Sequence, residues 1–267
     1  MHIDEAPVDL SLFVAKVLNQ GQQSYLMREV TAEEIQYSLF SIAYGKALEP
    51  YGFNGKFFNH AWRIIGEEVT KAIISFFRDG KLLKEINFTI ITLVPKVQNP
   101  FFLFDYRSIS CCNTLYKCIT KIIANRIKEA LPQLVSPSQS AFVPGRKIVG
   151  NVLLAQELLR NYHKDTTCPR YAIKVDLHKA YDTLKWSFLF QILEVMGFPA
   201  SFIDWIKECI TSAKFSVNIN GELNGYFASS RGLRQGDLMP SYLFAIAMEA
   251  LHGMLKVRTD DQNLRYH

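Results

Sequence analysis

Apolar residues recur along this chain at two periods, and the points where one gives way to the other outline the fold. Thr31-Ala-Glu-Glu34 has the form of a helix-starting capping box, and Ile35, Leu39 and Ile42 follow at helical spacing. A stripe of Phe58, Trp62, Ile65, Val69, Ile73 and Phe76 predicts a helix over 57–77, ended by Asp79-Gly80. Helical patterns recur over 115–131, 149–163, 186–196, 202–212 and 241–257. Strand patterns are shorter. Phe88 to Val94 is β-branched and apolar and stops at Pro95. Tyr171, Ile173, Val175 and Leu177 alternate with Ala172, Lys174 and Asp176. Phe215, Val217 and Ile219 alternate with polar residues ahead of Asn220-Gly221, the dipeptide of a tight hairpin turn. Residues 1–29 carry little periodicity and read as an extension, and Thr166 to Pro169 is the best subdomain boundary.

Composition narrows the class. Half the 267 residues are apolar (49%) and 21% are charged, which is globular composition rather than disorder. Net charge is +5, a mild basic excess compatible with a polyanionic partner. The five cysteines show no C-x-x-C spacing and no histidine at ligand spacing, so neither a disulfide framework nor a zinc site is expected. No stretch reaches 18 uncharged apolar residues and the N-terminus has no signal-peptide pattern, so an intracellular protein without a membrane span is expected.

Three constellations could carry chemistry. Asp176 sits near the C-terminal end of its strand pattern with Tyr181 five positions on. A carboxylate there suits Mg²⁺, and a nearby ring suits a nucleotide sugar. A turn-capping Asp and a core Tyr are the alternative. Arg231-Gly-Leu-Arg-Gln-Gly236-Asp237 offers donors from Arg231, Arg234 and Gln235 on a glycine-punctuated loop. Lys96 and Arg107 flank a Phe-rich loop (Phe101, Phe102, Phe104) and would serve as a triphosphate clamp, or as ordinary solvated charges.

Five segments join these constellations: Ile90 to Lys96, Asp105 to Asn113, Ser138 to Arg146, Lys174 to Asp182 and Arg231 to Asp237. In this order they resemble the reverse transcriptase of LINE-type (non-LTR) retrotransposons, particularly those of plants. The resemblance runs from about Ile35 to Met254. It implies an α/β (α+β) fold, the fingers and partial palm of a right-hand polymerase, helix-rich with a small antiparallel palm sheet. The implied organisation is an extension over 1–29, a fingers-like region over 30–168 and a partial palm over 169–267.

By resemblance Asp176 is the first catalytic aspartate, the Leu177 carbonyl a supporting Mg²⁺ (or Mn²⁺) ligand, and Tyr181 the steric gate against a ribose 2′-hydroxyl. Gln235 and Gly236 contact the nascent pair, Lys96 and Arg107 hold the nucleotide phosphates, and Gln139, Arg146, Arg231 and Arg234 contact nucleic acid. Asp182 is assigned to capping the following helix. The implied partners are an RNA template, a DNA primer and a deoxynucleoside triphosphate, and a nuclear location is expected by family.

The resemblance fails at one place. The family's second carboxylate pair lies in a Phe/Tyr-Ala-Asp-Asp hairpin beyond the Gln-Gly loop. Here the Asp-Asp after Gly236 is Asp260-Asp261, set between Thr259 and Gln262 in a polar stretch. Two Mg²⁺ ions about 4 Å apart need several carboxylate oxygens. A fragment truncated before that hairpin, without a thumb and without polymerase activity of its own, is therefore expected. Smaller departures at Leu48, Glu49, Tyr51, Ser108 and Leu238 to Ser241 remove turn prolines and glycines and fit a decaying element copy. The alternative is a non-catalytic RNA or RNA–DNA binding remnant using Lys121, Arg126, Lys128, Arg146, Arg231 and Arg234. An unrelated structural α/β protein is the third reading.

Overall fold

The computed structural model describes residues 9–42, 52–160, 173–234 and 238–260. Its helices are α1 (Gln20–Leu26), α2 (Ala32–Phe40), α3 (Gly55–Asp79), α4 (Thr114–Leu134), α5 (Ile148–Leu159), α6 (Ala180–Thr183), α7 (Trp186–Val195), α8 (Ala200–Thr211) and α9 (Leu238–Asp260). Its strands are β1 (Phe88–Pro95), β2 (Tyr106–Cys112), β3 (Lys214–Ile219) and β4 (Glu222–Ala228).

Local chemistry sets most boundaries. Thr31 caps α2 by accepting from the Glu34 N–H, and Gly80 ends α3 in the left-handed region (φ 66°). Asn220 (φ 54°) and Gly221 (φ 91°) turn β3 into β4, as the dipeptide predicts. Two boundaries differ from expectation. Helix α8 starts at Ala200 with Pro199 at its N-cap, so Ser201 lies inside the helix. Helix α4 continues through Pro132 to Leu134 before the connection begins.

The sheet runs β2-β1-β3-β4 among the described residues. The pairs β1–β2 and β3–β4 are antiparallel, and β1–β3 is parallel, with Thr89 opposite Phe215 and Ile91 opposite Val217. The sheet is thus mixed where an antiparallel one was expected. β2 follows the Phe-rich loop in a stretch whose hydrophobic pattern predicts no element. Helix α4 is the centre of the helical layer. Tyr116, Cys118, Ile122, Ile123, Ile127 and Leu131 are all buried on a broad face of it, while Lys128 and Glu129 are exposed. Burial pushes the Cys118 thiol up to about 12, so it stays protonated and packs as a small apolar group.

Two sequence expectations are corrected here. Tyr171 and Ala172 lie outside the described residues, and residues 173–177 form no strand: they carry no regular secondary structure, and Ile173 (86%) and Val175 (69%) are exposed. Alternation alone does not make a strand. A ladder neighbour must accept its backbone groups, and no described strand borders this segment. Conversely, residues 9–29 are not a loose extension in their described part. Leu10, Val14, Leu18 and Leu26 are buried in the main core, and Gln23 Nε2 donates to Gly197 O. The Phe13 carbonyl lies so close to Gly253 of α9 that a side chain there would overlap it.

Candidate functional site

Two stretches half a hundred residues apart are joined backbone to backbone. The Leu233 N–H donates to Tyr181 O and the Gly232 N–H to Leu184 O, each at 2.8 Å. Trp186 Nε1 donates back to Gly232 O at 2.7 Å. Gly232 holds φ 89°, and a Cβ there would sit 2.8 Å from Asp182 O. Only glycine permits this approach. The loop is tightened further where Ser229 Oγ donates to Arg231 O at 2.5 Å.

The junction borders a cleft of about 370 Å³ against one face of the sheet, lined among others by Ile91, Ser108, Ser110, Asp182, Trp186 and Arg231. Asp182 lies within α6, and α7 has Lys185 at its N-cap with no side-chain bond. Asp182 therefore lines the cleft and does not cap the next helix. Asp176 and Leu177 are exposed on the segment leading into α6. Tyr181 is half-buried with its ring stacked on Phe244 of α9 at 4.8 Å and 23°. Lys174, Lys179, Lys185 and Arg231 are all exposed, so this segment and loop carry a cationic surface. The three lysines escape sequence reasoning, because charges inside a strand or turn pattern read as ordinary solvation.

The other predicted contacts fall elsewhere. Ser108 and Ser110 line the cleft, so Arg107, at the alternate position of β2, is on the opposite face. Arg107 pairs with Val94, two residues before Lys96, so the two cations share one end of the β1–β2 hairpin. Lys96 Nζ donates to Phe104 O at 2.8 Å and helps close the hairpin tip. There the Asp105 carboxylate accepts from the Phe101 and Phe102 N–H groups.

Arg146 is turned inward. Its guanidinium donates to the carbonyls of Ser136, Gln139, Pro132 and Val135 and staples the 132–146 connection. Gln139 Nε2 donates to Ala141 O within the same connection. Arg234 is buried, with its donors on Thr89, Asn87 and Cys209. Arg126, a contact in the alternative reading, is fully buried against Glu34. A buried guanidinium cannot reach a phosphate, so direct contacts by Arg234 and Arg126 are not what this structure presents. Gln235 and Gly236 lie outside the described residues.

Among the described residues no group of three or more His, Cys, Asp or Glu could hold a metal ion. A divalent ion would supply charge neutralisation at a triphosphate and an activated primer hydroxyl. The described side chains do not assemble that site, with Asp176 exposed on an unpaired segment. No helix among the described residues is long and apolar enough to cross a membrane.

Comparison with known proteins gives a consistent result. The family model described as reverse transcriptase (RNA-dependent DNA polymerase) matches residues 94–267. The transposon TX1 uncharacterized 149 kDa protein of Xenopus laevis is 28% identical over 242 residues, 91% of this chain and 18% of that protein. The retrovirus-related Pol polyprotein from the type-2 retrotransposable element R2DM of Drosophila melanogaster is 27% identical over 173 residues, 64% of this chain and 16% of that protein. The corresponding polyprotein from the type-1 retrotransposable element R2 of Nasonia vitripennis is 22% identical over 232 residues, 87% of this chain and 22% of that protein. The chain thus spans about a fifth of the length of these curated relatives.

Proposed function

This chain belongs to the reverse transcriptase (RNA-dependent DNA polymerase) family, and from that premise we propose that it forms the fingers and part of the palm of an RNA-directed DNA polymerase of a retroelement. The observation that carries the reading is the backbone junction of Gly232 and Leu233 with Leu184 and Tyr181. It brings the segment that bears Asp176 and the loop that bears Arg231 to one cleft. In this reading residues 30–168 contribute the fingers-like region and residues 169–267 the partial palm.

The chain's own groups bind and orient. Lys174, Lys179, Lys185 and Arg231 attract the phosphates of an RNA template and DNA primer, which screens and releases counterions. Tyr181, held flat on Phe244, presents a fixed edge to the sugar of an incoming nucleotide. Lys96 and Arg107, at the hairpin end, reach the triphosphate. By family Asp176 would offer one carboxylate toward a divalent ion, a site that the described side chains do not complete.

Salt-dependent binding tests the reading. The 267-residue polypeptide is expected to bind an RNA–DNA primer–template with log K falling linearly in log salt. Arg231→Ala is expected to lower the slope by about one and weaken binding evenly across sequences. Salt-independent binding, or a slope untouched by that change, would count against the site.

Catalysis is expected to fail in the same polypeptide. With Mg²⁺ and all four deoxynucleotides it extends no primer, because Asp176 has no partner set among the described residues. Template-directed extension that disappears in Asp176→Asn would overturn that expectation.

A further inference from the structure

Arg234 directly follows the junction residues Gly232 and Leu233 and is built into the protein more deeply than any surface contact requires. Its side chain is 9% exposed. One terminal nitrogen donates to Thr89 Oγ1 at 3.0 Å, and the other donates to Asn87 Oδ1 at 2.5 Å and to Cys209 O. The guanidinium carbon stands 4.0 Å over the Tyr116 ring and 5.8 Å from that of Phe215. Asn87 is itself oriented, donating to Cys209 O at 3.1 Å and to Ser212 Oγ at 2.6 Å. The head group therefore meets β1, β3, α4 and the residues just before β1, and it donates to the Cys209 carbonyl in the last turn of α8, where the helix dipole is negative.

Burying a cation is costly unless its donors are satisfied, and an aliphatic side chain would fill the space without that cost. The acceptors here are neutral oxygens and aromatic faces, arranged to suit a planar fork and not an ammonium point charge. Immediately before Arg234 the chain passes through Leu233 and Gly232, whose N–H groups make the bonds to Tyr181 and Leu184. The guanidinium thus pins one end of a three-residue span whose other groups close the cleft.

We propose that Arg234 is a positioning residue that sets the register of the 229–234 loop against Tyr181–Trp186 without itself touching nucleic acid. It deepens the polynucleotide-binding reading above, and one arm of its test rests on that reading while the other does not.

The independent arm is native-state hydrogen exchange on the 267-residue chain. Arg234→Lys keeps the charge but not the fork. It is expected to speed exchange at the Gly232 and Leu233 amides about tenfold or more, leaving central α4 amides such as Ile123 near wild type. Thr89→Val, a milder change that removes one acceptor, is expected to give the same pattern with a smaller factor. It keeps the test decisive if Arg234→Lys does not fold. Unchanged exchange at Gly232 and Leu233 in Thr89→Val, or an equal rise throughout α4, overturns the proposal.

The second arm is primer–template binding by Arg234→Met. Positioning predicts weaker binding with an unchanged salt slope, while a slope reduced by about one means direct phosphate contact and overturns it. If the wild-type chain binds no polynucleotide, the functional reading falls and the exchange arm still decides the role of Arg234.

Discussion

Arg126→Ala is expected to lower folding stability by about 3–5 kcal/mol, the largest single loss we anticipate in this chain. The guanidinium is fully buried. Its Nε and one terminal nitrogen donate to the two Glu34 oxygens at 3.2 and 2.8 Å. The other terminal nitrogen donates to Leu26 O and Arg28 O, each at 2.8 Å. Removing it leaves a mostly buried carboxylate and two inward carbonyls without those donors, and it frees the α1–α2 connection from α4. Reversible urea unfolding checks this, and a loss below about 1 kcal/mol would mean that water reaches these groups after all.

The pH dependence follows from the same pair. Burial alone would raise the Glu34 carboxyl, but the Arg126 and Arg28 guanidiniums more than offset it and hold it below the ordinary carboxylate range. A group depressed in the folded state contributes stability above its unfolded pKa and loses it as pH falls through the folded value. Wild type is therefore expected to lose an increment on acidification that Arg126→Ala has already largely lost, so the two curves converge at low pH.

Gly232→Ala is expected to separate the two halves of the site while leaving the helices folded. The new Cβ would meet three backbone atoms of Asp182, its O at 2.8 Å and its C and Cα at 3.1 Å, none of which can swing aside. Holding φ 89° adds strain on the order of 1–3 kcal/mol for a residue with a side chain. The loop is expected to part from Tyr181 and Leu184, with primer–template affinity falling about tenfold or more. Gly221→Ala is the control. It has a similar φ of 91° but open space around it, in the β3–β4 turn. It should cost comparable strain and leave binding alone. Equal binding losses in both variants would trace the effect to general destabilisation.

Features governed by neighbouring residues were legible in the sequence. Thr31 capping α2, Gly80 ending α3 and the Asn220-Gly221 turn all depend on a few residues of local backbone chemistry. The family was legible too, because its motifs are short and ordered. Residues 173–177 were misread because their alternation is real but strand formation depends on a ladder partner elsewhere in the chain. The burial of Arg126 and Arg234 was hidden for a related reason. A cation's spacing does not reveal whether its acceptors are phosphates or carbonyls, and those of Arg126 come from residues nearly a hundred positions away. The same holds for Leu10, Val14 and Leu18: they recur every four residues, yet residues 13–19 form no helix, and all three are buried in the main core.

The site itself was only half legible. Asp176, Tyr181 and Arg231 could be named, but not the hydrogen bonds that tie the Gly232 backbone to Leu184 and Trp186. That junction is the centre of the account, and photo-crosslinking tests it most directly. A primer–template with a photoreactive base at the primer terminus would be irradiated on the 267-residue chain and the adducts mapped by peptide. Adducts in the peptides carrying Asp176–Trp186 and Ser229–Arg234 together are the predicted result, and adducts confined to other surfaces, such as α5 or β4, would contradict it.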